Sequence, residues 1–202
     1  MHELPKIPYF CWRCCIPLAS TNLCGNCLQN PPPFEKMLTP YLYDMPIMKI
    51  ILDLKFKKQL ANARVLGELV AQYLQSFYET KPLPDTIIPM PLHTKRLRER
   101  GFNQALEIAR PISRFFNIPI NTQLMARVKH TNAQATLDKK ARQQNIKNAF
   151  YLKKSMENAF IAVIDDVYTT GSTMQEFCST LKKGGVKEIH VWCVARAANY
   201  FS

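Results

Sequence analysis

The 202-residue chain has no apolar run long enough to cross a bilayer, so no transmembrane segment is expected. Residues 1–10 carry an acid and prolines, without the apolar stretch that an export leader needs, and the expected location is cytoplasmic. Two nucleotide fingerprints are missing: the Gly-Lys-Ser/Thr of a P-loop and the GxGxxG of a dinucleotide fold. Acids are scarce. Asp and Glu total 15 against 27 Lys and Arg, a formal charge of +12. That balance favours polyanionic partners, whether nucleic acid, anionic lipid or a pyrophosphorylated sugar.

Cysteine, by contrast, is patterned. Cys11-x-x-Cys14 and Cys24-x-x-Cys27 form two close pairs. Both sulfurs of a CxxC turn can reach one ion, and two such turns complete a tetrahedron of four thiolates. Structural zinc is the expected metal. It would leave no open position for catalysis and would fold a segment too short for its own core. Two disulfides are the alternative, disfavoured by the missing leader. Cys15 reads as a spare thiol, His2 as a weaker alternative ligand, and Cys178 and Cys193 as buried small hydrophobes. The stiff Asn30-Pro31-Pro32-Pro33 stretch marks a linker at 31–33, dividing a 1–30 zinc-finger module from a 31–202 domain.

Periodicity then alternates. Ile47, Ile50, Ile51 and Leu54 share a helical face, and a second helix is expected from Asn62 to Tyr78. Thr86 to Pro91 reads as a short strand. A helix carrying Leu106, Ala109, Ile112, Phe115 and Phe116 should be kinked or shortened by Pro111. Leu124 to Val128 reads as a strand. The polar, basic stretch Lys129–Asn148 follows, its second half a candidate helix from Asp138. Ile189 to Ala195 is a last strand. Strands alternating with helices imply an α/β fold with a parallel sheet flanked by helices.

The richest segment is Ala159 to Thr173. An apolar run, Phe160 to Ile164, is expected to end at two carboxylates, Asp165 and Asp166. The hydroxyl-rich turn Thr169-Thr170-Gly171-Ser172-Thr173 leads into a helix. Backbone amides at such a turn, with the helix dipole behind them, form an anion nest, and Gly171 permits close approach. A phosphate cradle beside paired carboxylates suggests a sugar-phosphate ligand. Arg96, Arg98 and Arg100, after a strand's carboxyl end, have the fork geometry to clamp a pyrophosphate. The stretch after Arg127 suits a lid. Lys55, Lys57 and Lys58, with Arg98, are candidate contacts to a nucleic-acid backbone. Tyr9, Phe10, Trp12 and Phe56 are candidate stacking groups.

The Asp165–Thr173 segment resembles the phosphoribosyl pyrophosphate (PRPP) signature of the type I phosphoribosyltransferases. Joined to the Cys pairs, Leu54-Lys55-Phe56, Leu66-Gly67, Pro89-Met90-Pro91-Leu92, Arg96-Leu97-Arg98-Glu99-Arg100-Gly101-Phe102-Asn103-Gln104 and Arg127 with Thr131, Gln134, Leu137, Arg142 and Asn145, it makes the chain resemble the ComF/ComFC (GntX) proteins. The resemblance implies a type I phosphoribosyltransferase-like fold with an N-terminal four-Cys zinc finger. Asp165 and Asp166 would face the ribose hydroxyls, and Thr169 to Thr173 the 5′-phosphate, with magnesium on the pyrophosphate of PRPP. Pro91 to Arg100 would be the pyrophosphate loop, and Arg127, Lys129, Thr131 and Gln134 would belong to the flexible loop. It further implies action on incoming single-stranded DNA in natural transformation, near a helicase or channel protein of the inner membrane. Seven residues follow Ala195, too few for a C-terminal hood over a nitrogen base, and no residue announces itself as a general base. Two alternatives therefore stand beside DNA uptake: an active transferase with an unidentified acceptor, and a catalytically silent scaffold.

Overall fold

The computed structural model describes residues 4–129 and 146–198. In chain order the elements are α1 (Gly25–Gln29), β1 (Lys36–Leu38), β2 (Tyr41–Leu42), α2 (Ile47–Lys57), α3 (Leu60–Tyr78), β3 (Thr86–Pro89), α4 (Thr94–Arg100), α5 (Gln104–Phe116), β4 (Met125–Arg127), β5 (Phe150–Leu152), β6 (Phe160–Tyr168), α6 (Ser172–Lys183) and β7 (Glu188–Arg196). The main sheet runs β1-β7-β6-β3, with β2 also on β7, and every pairing is parallel. Helices cover both faces, as the hydrophobic sequence of β6 and β7 requires.

The pleat divides the core. Ile161 and Val163 of β6 face one way, onto Phe177, Cys178 and Leu181 of α6. Ala162 and Ile164 face the other, onto Ile51 and Leu54 of α2, Leu66 and Val70 of α3, and Ile108 and Ile112 of α5. Among the described residues no helix is long and apolar enough to cross a membrane.

Two expectations need correction, those on the end of β6 and on Pro111. The strand expected over Leu124 to Val128 forms at Met125–Arg127, outside the main sheet. It pairs antiparallel with β5, Met125 opposite Leu152 and Arg127 opposite Phe150, because its arginine and short length suit an outlying hairpin better than a sheet buried on both faces. The strand that was to end at the carboxylates continues through them to Tyr168, held by register with β7 as far as Arg196. Pro111 does not shorten α5, which runs unbroken from Gln104 to Phe116. The reason lies on α3. A Cβ built on Gly67 would come within 2.3 Å of the Pro111 ring and 2.5 Å of the Ile108 carbonyl. The glycine leaves a notch that the proline fills, and this packing offsets the hydrogen bond that proline cannot give. The helix expected from Asp138 lies outside the described residues.

The N-terminal segment is sewn to the sheet. Lys6 bridges Tyr41 antiparallel, Arg13 Nε donates to the Phe34 carbonyl at 3.0 Å, and Cys15, 1 % exposed, belongs to the main core. At the opposite edge, Ile87 of β3 donates its N–H to the Pro119 carbonyl and accepts from the Asn121 N–H, both at 2.9 Å.

The notch yields a test. Gly67→Ala should lower stability by about 1–3 kcal/mol through overpacking, read as a lower urea midpoint at unchanged slope.

Candidate functional site

The site is built where β6 emerges between its neighbours. Because successive side chains on a strand alternate, Asp166 goes to the face shared with α2 and α5, and Asp165 to the face shared with the β4–β5 hairpin. Asp166 is 3 % exposed. Its Oδ2 is ion-paired with Lys55 Nζ from α2, and its Oδ1 accepts a long bond, 3.5 Å, from Gln104 Nε2 of α5. Gln104 Oε1 in turn accepts from Arg100 Nη1. Asp165 Oδ1 accepts from the Asp166 N–H at 2.9 Å.

These contacts set the charge. Burial works against the Asp166 carboxylate, but Lys55, with the hydrogen bonds from Asp165 and Gln104, outweighs it and holds the group below the ordinary carboxylate range. Asp165 goes the other way: burial and then the neighbouring Asp166 charge push it well above that range. Lys55 is itself desolvated, yet Asp166 and Asp165 keep its ammonium charged. The pair thus holds one firm anion and one carboxyl that retains its proton readily, a division that recurs at sites binding polar ligands.

The string from Arg100 to Gln104 supplies much of this geometry. Gly101, at φ +86°, lets α4 end in a left-handed turn. Phe102 packs against the core. Asn103 caps α5, its Oδ1 accepting from Ala105 N (2.9 Å) and Leu106 N (3.3 Å), while its Nδ2 donates to the Met90 carbonyl at 3.1 Å. Gln104 then reaches Asp166. Behind the acids, Gly171 sits at φ +81° as the N-cap of α6, and no side chain caps that helix end. A Cβ there would lie 2.1 Å from the Tyr168 hydroxyl oxygen, so the turn requires glycine. Thr170 Oγ1 lies 3.3 Å from Ser172 Oγ. Cations face the acids from two sides. Burial lowers the pKa of both Arg100 and Arg127; the acids oppose that shift, and nearby Arg96 adds to it.

Of the residues expected here, Asp165, Asp166, Arg96, Arg100 and Arg127 come together, with Thr169 to Thr173 following directly on β6. Pro91 is half-buried after β3, and Arg98 is exposed on α4. Lys129 Nζ donates to the Lys147 carbonyl at 2.6 Å, closing the neck of the hairpin. Thr131 and Gln134 lie outside the described residues. Lys55 differs from its expected place among the surface lysines: it is turned inward onto Asp166. Lys57 stays at the surface but pairs with Asp53 at 2.8 Å, and Lys58 is exposed at the helix end. Phe10 is half-buried against the core, whereas Tyr9, Trp12 and Phe56 are exposed.

The second centre is the cysteine cluster. The four Sγ atoms of Cys11, Cys14, Cys24 and Cys27 all lie within 4.8 Å of one another. The Cys24 N–H donates to Cys11 Sγ at 3.3 Å. Burial opposes ionisation of Cys11, yet backbone amides of Cys24, Cys14 and Arg13 bring it down to about 7. Burial, then the charges of its neighbours, push Cys14 up to about 12. Sulfurs so close and so buried suit a metal ion that supplies the missing positive charge.

Competence protein F of Haemophilus influenzae is 40% identical over 202 residues, covering 96% of this chain and 87% of that protein. The chain belongs to the competence protein F family. The DNA utilization protein YhgH of Escherichia coli K12 is 34% identical over 189 residues, covering 92% of this chain and 83% of its own length. Residues 102–200 match the phosphoribosyl transferase domain. A solved hypoxanthine phosphoribosyl transferase of Trypanosoma cruzi aligns over 69% of this chain and 75% of that chain, at 14% identity and a TM-score of 0.45. The domain match includes the acids, Gln104 and Arg127 but starts after Arg100, so Lys55 is supplied by an element outside it.

The split acid pair has a stability signature. Asp165 has a raised folded value, so its contribution is full below the ordinary carboxylate range and lost as pH rises through that folded value. Asp165→Asn should therefore match wild type in acid and exceed it at neutral pH by about 1 kcal/mol, roughly 2–4 °C in Tm. Asp166 is depressed, so its contribution is present above the ordinary range and lost as pH falls through its folded value. Lys55→Met should cost on the order of 3 kcal/mol at neutral pH, a deficit that closes in acid. Thermal melts across pH check both signs.

Proposed function

We propose that this protein binds PRPP with magnesium at the Asp165–Asp166 site, carries a structural zinc on Cys11, Cys14, Cys24 and Cys27, and binds single-stranded DNA in the cytoplasm to assist its uptake in natural transformation. The observation that carries the reading is the acid pair near the end of β6, followed by the Gly171 turn and faced by Arg100 and Arg127. Thr169 to Thr173 would take the 5′-phosphate on backbone amides and hydroxyls. Asp165 and Asp166 would accept from ribose hydroxyls, and Arg96 and Arg100 would meet the pyrophosphate. Magnesium would shield the pyrophosphate charge. The names of the relatives, competence and DNA utilization proteins, support the uptake role.

Phe56, 72 % exposed, stands beside Lys57 and Lys58, and Trp12 is exposed on the cysteine module. Such groups combine base stacking with phosphate contact. A helicase or channel protein at the inner membrane would be the partner that delivers the strand. The intact acid pair also favours a second reading, transfer of phosphoribose to an unidentified acceptor; a silent scaffold would need neither ligand nor turnover.

Magnesium PRPP at 100 times its Kd should raise stability by about 2.7 kcal/mol, and Asp165→Ala with Asp166→Ala should abolish the shift while the fold survives. Equal shifts in both proteins contradict the assignment. On the same preparation, single-stranded DNA binding should weaken steeply with salt. Base-dependent pyrophosphate release without DNA affinity would move the reading to the transferase. Elemental analysis should find one zinc per chain, lost in Cys24→Ser.

A further inference from the structure

Arg196, the last residue of β7, is a cation in an improbable place. It is 1 % exposed, among the largest fully buried side chains of the described residues. Its Nη1 donates to the carbonyls of Tyr168 (3.1 Å), Thr169 (2.7 Å) and Ala197 (2.6 Å), and its Nε donates to the carbonyl of Cys14 (3.2 Å). The guanidinium also lies 4.8 Å from the centre of the Tyr168 ring. Burying such a charge is expensive unless its donors are satisfied, so the carbonyls it gathers are held where the guanidinium needs them.

Those carbonyls belong to different centres. Cys14 is one of the four clustered cysteines. Tyr168 and Thr169 open the turn that Gly171 closes, and the Tyr168 hydroxyl packs on Gly171 itself. A second contact runs the same way: Arg13 holds the Phe34 carbonyl, and the Phe34 ring meets Tyr168 edge-on at 6.3 Å. Cys15, next to Cys14 in the chain, donates its thiol to the Met37 carbonyl at 3.1 Å. The cysteine knuckle and the Thr169–Thr173 turn are therefore braced against one planar, five-donor group.

We propose that Arg196 is a positioning residue through which the metal-holding cysteine knuckle sets the geometry of the Thr169–Thr173 turn, so that metal occupancy raises the affinity for a phosphorylated sugar. The proposal rests on the reading of this turn as a phosphate site and of the cluster as a metal centre. The metal acts at a distance. It fixes the Cys14 backbone, Cys14 fixes one end of the guanidinium, and the guanidinium fixes the carbonyls whose peptide planes begin the turn.

The test compares full-length protein, metal-loaded and chelator-stripped under reductant, by amide hydrogen exchange and by calorimetric titration with magnesium PRPP. In the stripped wild type the amides of Thr169–Thr173 should exchange at least tenfold faster while those of α3 keep their protection, and PRPP affinity should fall about tenfold. Arg196→Lys, still holding its metal, should already show the faster exchange and weaker binding, and stripping it should add little, the non-additivity expected of residues in one chain of contacts. Turn exchange indifferent to metal in wild type overturns the proposal. So does Arg196→Lys that keeps the full metal response. Should Arg196→Lys not fold, Phe34→Leu, which removes the edge contact on Tyr168 but leaves Arg196, should retain a metal response, and the wild-type comparison decides. Metal-dependent protection without any PRPP binding would remove the PRPP reading and leave the coupling standing.

Discussion

A carboxylate buried to 3 % exposure governs the region where β6 meets α2 and α5. Asp166 stays ionised because Lys55 meets it, and Lys55 tolerates its own burial because Asp166 is there. Such a pair gives little net stability, since desolvation consumes most of the attraction, yet losing one partner strands the other. The arrangement therefore constrains α2, α5 and β6 to keep station around one charge. It also fixes the neighbour: with Asp166 anionic, Asp165 cannot easily carry a second charge. The asymmetry is set by the protein's own groups, Lys55 on one side and the paired acid on the other.

The same economy appears in the five residues from Arg100 to Gln104. One side chain reaches the acid, one supports it, one caps a helix and ties it to the residue after β3, one packs against the core, and the glycine turns the chain. No residue in this string is spare, which gives a physical account of why it reads as a motif. The pleat of β6 completes the division of labour by sending adjacent acids to opposite faces, so that a helix-borne lysine answers one and the hairpin's arginine approaches the other.

Much of this was legible in the sequence. The apolar run of β6, the acids after it, the Gly171 turn, the four cysteines and the alternation of strands and helices all follow from local pattern, and local pattern is what periodicity and spacing report. What escaped was set by rotation and by distance. Lys55, Lys57 and Lys58 look alike in sequence, but only Lys55, next to Leu54 on the buried edge of α2, turns toward the sheet. Arg196 falls one residue beyond the strand expected over Ile189 to Ala195, and nothing local says that its guanidinium will be buried against the Cys14 carbonyl. The tolerance of α5 for Pro111 depends on Gly67, which is remote in sequence. The segment Leu124 to Val128 does carry a strand, but its antiparallel partner at Phe150–Leu152 stands beyond the long basic stretch.

The borders of the sheet carry a consequence of their own. On one side the chain after α5 runs along β3, with the Pro119 and Asn121 backbone taking up the hydrogen bonds of Ile87. On the other, Lys6 lies against β2. An open border is a template on which another polypeptide can polymerise, and proteins guard against it with proline, lysine and overlying loops. Here proline guards one flank and lysine the other, so recruitment of a further strand is discouraged at both.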